Sequence, residues 1–346
     1  MEKARFWVAV TATLVLSALA GSALAQDLQA MLQQTEQLVD QKQYDQAIAA
    51  YEKIIADEPD CAEAYDGRGT AYRMKGEFEK ALADFEKALE LKPDLASAWR
   101  GVGIVHGEKG DYDVAIEYFE KAVQLSPYYA AAYNSLGAAY VYKGQHDRAI
   151  QYLNRAIDLD PEYTDAYTAR GAAYSFKGDY ERALADFSKA IELDPTDPQP
   201  LANRGGIYVG VGQLDRALAD LDKAIALDPN FAIAYMNRGG AYLEKGEPSK
   251  ALSDFDKAIE LDPHEPQALF NRALAYEQLG RFSKAISDYS KVIELVPQAV
   301  GAYHNRAVVC RKLAIADCNK VIELAPDSDA AKDAKELLKQ LGEEAD

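Results

Sequence analysis

Four asparagines, Asn203, Asn237, Asn271 and Asn305, stand 34 residues apart. A carboxamide both donates and accepts hydrogen bonds, as a peptide group does. A row of them could therefore hold an extended backbone without reading its side chains. Little else in the chain offers chemistry. The four histidines (His106, His146, His264 and His304) have no spacing to the three cysteines (Cys61, Cys310 and Cys318) that would make a zinc site. Three cysteines are also too few for a disulfide framework. No nucleophile elbow, phosphate-binding glycine loop or dinucleotide fingerprint occurs. The abundant Asp, Glu and Ser are accounted for by helix capping and solvated faces. The reading is of a chain with no catalytic residue, no cofactor and no metal, an enzyme with an unrecognised site being an alternative.

Composition narrows the partners. The 346 residues are 49% apolar, so a core can be built, and the formal net charge is −18. Nucleic-acid binding needs a concentrated basic face, so no nucleic acid is expected. At the N-terminus, Lys3 and Arg5 precede an apolar run from Phe6 to Ala20, and Ala23-Leu24-Ala25 follows. This is the pattern of a cleavable signal peptide over 1–25, cut after Ala25. The run is shorter than the roughly 20 residues of a membrane span. The expectation is a periplasmic or secreted protein whose mature chain, from Gln26, is not inserted in a membrane.

What must position the asparagines is a repeat. Pro59, Pro93, Pro127, Pro161, Pro195, Pro229, Pro263 and Pro297 are spaced by 34 residues, and Pro326 follows after 29. With each Pro as position 32, position 20 is always Ala, from Ala47 to Ala314. Gly recurs at position 15 from Gly76 to Gly280, and at position 8 from Gly69 to Gly239. The unit reads as helix A, a Gly turn, helix B, then a Pro that cannot continue helix B. Gly inside helix A costs about 1 kcal/mol, so a neighbouring helix must cross too close for a Cβ, with the Ala of helix B facing it. Large residues such as Tyr72 and Phe85, Tyr174 and Phe187, and Tyr242 and Phe255 fill the gaps. Two short helices cannot bury their apolar faces alone, so units must stack.

This pattern resembles the tetratricopeptide repeat family, on residues such as Trp99, Gly103, Gly110, Ala115, Phe119, Ala122 and Pro127, or Tyr167, Gly171, Tyr174, Gly178, Ala183, Phe187, Ala190 and Pro195. The resemblance covers 28–328 and implies an all-α, right-handed superhelical solenoid with helices A lining the concave face. Nine units are expected: 28–61, 62–95, 96–129, 130–163, 164–197, 198–231, 232–265, 266–299 and a truncated 300–328. The first is atypical, with Met31, Thr35 and Lys42 at positions held elsewhere by an aromatic, Gly and Gly. After Pro326 a polar capping helix is expected from Asp329 to Leu341, with Leu337, Leu338 and Leu341 on one side, then an acidic tail to residue 346.

The last unit lacks the five residues of the turn, so Leu279-Gly280-Arg281-Phe282-Ser283-Lys284-Ala285 is reduced to Leu313-Ala314. Either its two helices fuse, or a tight hairpin survives that would let Cys310 and Cys318 meet; the reading favours fusion. In a fused helix the two cysteines are about 12 Å apart and cannot bond. Comparison among repeats also pairs position 7 with position 23. Arg68, Arg170, Arg204, Arg238, Arg272 and Arg306 accompany Asp84, Asp186, Asp220, Asp254, Asp288 and Asp317, and repeats 1, 3 and 4 lack both. The expectation is an Arg–Asp bridge from helix A to helix B within each of the six units.

In the family, positions 2, 5, 6, 9, 12 and 13 of helix A face the groove. The asparagines occupy position 6, and Met236, Phe270, Val209, Leu243 and Val308 are apolar candidates beside them. This row resembles the asparagine ladder of the superhelical repeat domain of O-linked N-acetylglucosamine transferases. In the N-terminal half, Asp40, Asp66, Arg73, Arg100 and Glu108 make the groove charged. The Lys and Asn set that clamps a C-terminal carboxylate is not found. The expected function is a non-catalytic scaffold or adaptor holding an extended segment of a protein or peptide partner. A self-assembling structural protein is an alternative; a monomer is the expected state, with a homo-oligomer also allowed.

Overall fold

The structure, a computed structural model, describes residues 26–342; residues 1–25, where the signal peptide is expected, and the acidic tail 343–346 lie outside them. Among the described residues every regular element is an α-helix. The described residues divide into two compact units, one ending at Lys177 and the other starting at Gly178.

The first unit holds α1 (26–40), α2 (Tyr44–Asp57), α3 (Ala62–Met74), α4 (Phe78–Leu91), α5 (Ala96–Glu108), α6 (Tyr112–Leu125), α7 (Ala130–Tyr142), α8 (His146–Leu159) and α9 (Thr164–Phe176). The second holds α10 (Tyr180–Leu193), α11 (Pro198–Gly210), α12 (Leu214–Leu227), α13 (Ala232–Glu244), α14 (Pro248–Leu261), α15 (Pro266–Gln278), α16 (Phe282–Leu295), α17 (Val300–Leu324) and α18 (Asp329–Gln340). Helices of 13 or 14 residues are marginal alone, so their stability comes from packing against neighbours in sequence.

The turn between the helices of a repeat is set by one left-handed residue. Gly76, Gly110, Gly144, Gly178, Gly212, Gly246 and Gly280 all have φ between 68° and 87°. At the end of α3, the Glu77 N–H donates to the Tyr72 carbonyl and the Gly76 N–H to that of Arg73, closing the helix end. Lys42 does the same work without glycine in the atypical first repeat, at φ 60°.

Helices A and B then cross so closely that a side chain is excluded. A Cβ on Gly239 would stand 2.6 Å from the Phe255 ring, and one on Gly69 2.9 Å from the Phe85 ring and 3.2 Å from the Ala81 carbonyl oxygen. The position-20 alanines from Ala47 to Ala285, and large residues at position 24 such as Phe85, Leu153, Leu221, Phe255 and Tyr289, are fully buried.

The expected Arg–Asp bridge is a two-pronged contact in repeats 2, 6, 7 and 8. Nε and Nη2 of Arg68, Arg204, Arg238 and Arg272 donate to both oxygens of Asp84, Asp220, Asp254 and Asp288 at 2.7–2.9 Å. Asp84, Asp254 and Asp288 are buried. The third prong is a contact the repeat comparison missed. Nη1 reaches position 25 of the preceding repeat: Arg238 to Asp222 and Arg272 to Asp256 at 2.7 Å, Arg204 to Ser188 at 2.9 Å. Arg204, Arg238 and Arg272 therefore tie their own two helices together and also tie them to the previous repeat.

Repeats 3 and 4 replace this ion pair by an apolar and aromatic layer. Val102 and Leu136 are buried, Tyr118 lies against Trp99 and His106, and Tyr152 stacks on Tyr140 at 5.5 Å.

The truncated ninth unit is one continuous helix, α17, of 25 residues. With no left-handed residue after Arg311-Lys312-Leu313-Ala314, helix-forming residues simply propagate. Cys310 and Cys318 are free thiols on the same helix. The expected Arg306–Asp317 bridge is corrected by the same fact. The two residues are eleven apart on one straight helix, about 16 Å at 1.5 Å per residue. Asp317 is exposed, and Arg306 donates instead to Ser290 Oγ at 3.0 Å. In the capping helix α18, Leu338 is buried with Ala334 against Cys318, but Leu337 is 41% exposed. The three leucines fall within one arc of about 100°, with Leu338 at its packed edge and Leu337 at its exposed edge.

Two adjacent glycines test the close crossing. Gly239→Ala drives a methyl into a ring that cannot retreat and lowers stability by about 2 kcal/mol, whereas around Gly240 a Cβ would meet nothing within 4 Å. Gly240→Ala therefore raises stability by up to about 1 kcal/mol through helix propensity. Urea midpoints that move in the same direction for both would refute the crossing as drawn.

Candidate functional site

Within each unit, successive helices A touch one another: α3 with α5, α5 with α7 and α7 with α9, then α11 with α13 and α13 with α15. No successive helices B make comparable contact among the described residues. Helices A therefore lie on the shorter, inner side of each unit, and their solvent face is the candidate site.

In the second unit the four asparagines sit on four successive helices A, half-buried. Their amides are not equivalent. Nδ2 of Asn237 donates to the Ala202 carbonyl on the preceding helix A at 3.2 Å, and Asn305 Nδ2 lies 3.4 Å from Tyr289 Oη. Asn271 Oδ1 accepts from Gln267 Nε2 at 2.9 Å, an exposed contact. Asn203 makes no side-chain hydrogen bond among the described residues. Asn203 and Asn271 are thus the most available to a ligand, while Asn237 keeps its Oδ1 as an acceptor.

Between them the helix backbone is bare. Gly210 and Gly240 have open space where a Cβ would be, and beside Gly206 the nearest atom is the Asn237 amide, 3.0 Å from an added Cβ. The apolar candidates divide. Leu243 and Leu274 line an open groove of about 610 Å³ with Glu244, Glu277, Gln278 and Lys312, and Lys312 donates to Glu277 across it at 2.6 Å. Phe270 turns edge-on to Tyr289 at 5.4 Å and lies over Gly301 of the next helix A. Val209 packs with the core around Leu221, Met236 is half-buried, and Val308 is 37% exposed.

The charged inner face of the first unit is largely paired within itself. Arg73 donates to Glu108 at 2.6 Å, and Arg100 donates to Ser135 Oγ at 2.9 Å while lying over the Tyr129 ring. Burial pushes the Asp66 carboxyl up to about 6, against the opposing pull of Ser97 and Arg100. Repeat comparison also missed a row of aromatic stacks at this edge: Tyr112 on Tyr142 at 5.1 Å and His146 on Phe176 at 5.2 Å. Each joins position 17 of one repeat to position 13 of the next, a pattern the sequence carries but that has no glycine or proline to mark it.

No three His, Cys, Asp or Glu side chains converge as a metal would require, among the described residues. No described helix is long and apolar enough to cross a membrane. His106 and His146 bury Nδ1 without a hydrogen-bond partner, and His304 is exposed.

Paired helices stacked through inner helices A, each turned by a left-handed glycine, define a helical repeat scaffold. Three family models, each described as tetratricopeptide repeat, match residues 94–162, then 36–96, 204–266 and 241–300, and finally 164–197. The chain belongs to the tetratricopeptide repeat family, whose members are in general scaffolds for protein–protein interaction. No curated protein matches it. Among solved structures it is similar to a chain of the APC/C hetero-tetramer Cut9–Hcn1, with TM-score 0.69 and 19% identity over 77% of this chain and 52% of that one. It therefore spans about half of that protein's length. It is also similar to a tetratricopeptide repeat protein from Parabacteroides merdae, with TM-score 0.55, 20% identity, and 72% and 99% of the two chains covered. For yeast Tom70 the TM-score is 0.54 and the identity 18%, over 83% of this chain and 63% of that one. At these identities the likeness is one of fold.

The raised Asp66 carboxyl has a pH signature. Folded Asp66 holds its proton to about pH 6, while the unfolded side chain releases it near 4. Its contribution is therefore most favourable below pH 4 and is lost as pH rises through 6. Asp66→Asn gains on wild type across that window, by up to about 2 kcal/mol. Urea midpoints of the two proteins that keep a constant difference from pH 4 to 7 would rule this out.

Proposed function

We propose that the chain is a non-catalytic scaffold that holds an extended segment of a partner protein along the helix-A face of its second unit. The observation that carries this is the placement of Asn203, Asn237, Asn271 and Asn305 on successive inner helices, beside backbone left bare at Gly206, Gly210 and Gly240. A mid-helix glycine costs about 1 kcal/mol, and at Gly240, inside α13, no neighbour inside the protein requires it. Close approach of a ligand backbone would. Inner helices about 10 Å apart match roughly three residues of an extended chain at about 3.3 Å each, so one amide meets the peptide backbone at regular intervals. The groove between Leu243 and Leu274 takes an apolar side chain, with Glu244 and Gln278 at its rim.

The partner is reached outside the cytoplasm in this reading. Residues 1–25 direct export and are removed after Ala25, leaving the mature protein in the periplasm or secreted. Material recovered from the exported fraction begins at Gln26; sequencing that starts at Met1 would end this part of the proposal.

Peptides selected from a random library on the purified chain test the groove. Asn203→Ala with Asn271→Ala weakens all of them by at least about tenfold in calorimetry, whatever their side chains, because the lost bonds are to backbone. Those two positions spare the internal bond of Asn237 to Ala202. Unchanged affinities, or a selection that yields no binder, would remove the reading.

A further inference from the structure

The fused helix α17 leaves uncovered a face that is buried in the repeat before it. In repeat 8, Leu269, Ala273 and Tyr276 at positions 4, 8 and 11 of helix A are 4%, 0% and 9% exposed beneath their own helix B. Their counterparts on α17 are Tyr303, at 45%, and Ala307 and Cys310, both exposed. The stripe continues through Ala314 to exposed Asp317, recurring every four then three residues, the spacing of a helix-pairing seam. It lies between the sides of α17 that contact α16 and α18. Within this stripe Arg306 and Asp317 are the two halves of an ion pair that other repeats form and this one does not.

We propose that α17 pairs with α17 of a second copy of this chain, antiparallel about a two-fold axis between Arg311 and Lys312. The register follows from the repeats themselves. In each hairpin position 7 meets position 23, and position 8 lies beside positions 20 and 24, as Gly69 does beside Ala81 and Phe85. Applied to two α17 helices, the same rule sets Arg306 against the partner's Asp317 and Asp317 against the partner's Arg306, with Ala307 over the partner's Ala314. Both ion pairs form at once because the stripe is complementary to its own two-fold image, and an isologous contact of this kind closes at two copies. Loss of the five-residue turn prevents the hairpin from closing within one chain and moves its contacts between chains, which is how a shortened hinge produces an exchanged dimer. The two Cys310 residues come to lie about 4.5 Å apart along the axis, within reach of a short linker.

The purified chain sediments as a dimer at about 0.1 mM. Arg306→Glu or Asp317→Arg alone places like charges together twice and raises the dissociation constant by at least about tenfold. The two reversals combined restore it. Inserting Gly-Arg-Phe-Ser-Lys between Leu313 and Ala314, the turn of repeat 8, lets the hairpin close in one chain and yields a monomer. A bifunctional maleimide joins two wild-type copies through Cys310, and Cys310→Ser abolishes the product. A wild-type monomer at that concentration overturns the proposal, as does a larger assembly or a dimer indifferent to the single reversals. Should either single variant lose helicity by circular dichroism, the combined variant decides: recovery of fold and dimer supports the pairing, and failure to recover overturns it.

Discussion

The constraint on which the architecture depends is the crossing of helix B over helix A at position 8. Where that residue is glycine, its missing Cβ lets the ring or leucine at position 24 sit directly on the helix-A backbone, with the position-20 alanine closing the other side. The crossing fixes the angle and depth at which the two helices meet. That geometry decides which apolar residues are left over for the neighbouring repeat. Repeat 8 shows how narrow the allowance is: Ala273 replaces glycine and Tyr289 replaces phenylalanine, and both remain fully buried. A chain built on one such contact must repeat it at a constant interval, because each helix pair offers the next the surface that it was itself offered.

Charge serves alignment more than stability in this arrangement. A buried ion pair gains little over well-packed apolar groups, and repeats 3 and 4 show the exchange made with Val102, Leu136, Tyr118 and Tyr152. What arginine adds is its third donor. A planar fork that grips Asp254 with two nitrogens and Asp222 of the preceding repeat with the remaining one fixes three helices against each other. An apolar layer tolerates sliding, and a three-pronged contact does not. The exposed bonds from position 14, such as Lys245 to Asp215, span the same repeat boundary in water and contribute little.

The period, the turns and the helix crossing are legible in the residues because each rests on backbone chemistry that few residue types allow. Glycine at position 15 and proline at position 32 announce themselves for that reason. The pairing of position 7 with position 23 is legible too, since both change together from repeat to repeat. The bond from arginine to position 25 escapes because that position varies among Asp, Ser and Asn, all of which accept the same donor. The asparagine row is legible as a row, but what each amide does is not. Asn237 turns to the Ala202 carbonyl on the preceding helix, while Asn271, in the same phase, accepts from Gln267 of its own helix. Arg306 and Asp317 match the pairing rule as letters, yet the deleted turn separates them along one helix.

The inner face carries the positions that the crossing and the ion pairs leave free, and this is why function can vary there at little structural cost. Positions 8, 20 and 24 are spent on the crossing, and positions 7, 23 and 25 on alignment. Positions 5, 6, 9 and 12 of helix A remain, and in the second unit they hold Met236, Asn237, Gly240 and Leu243 in one repeat and Phe270, Asn271, Leu274 and Glu277 in the next. Beside these side chains Gly206 and Gly240 leave bare backbone, so the backbone of helix A is itself part of the surface. A surface made in this way presents amide groups and bare helix at a fixed interval. It is suited to a ligand with an interval of its own, and an extended polypeptide is the ligand whose repeat unit has matching donors and acceptors.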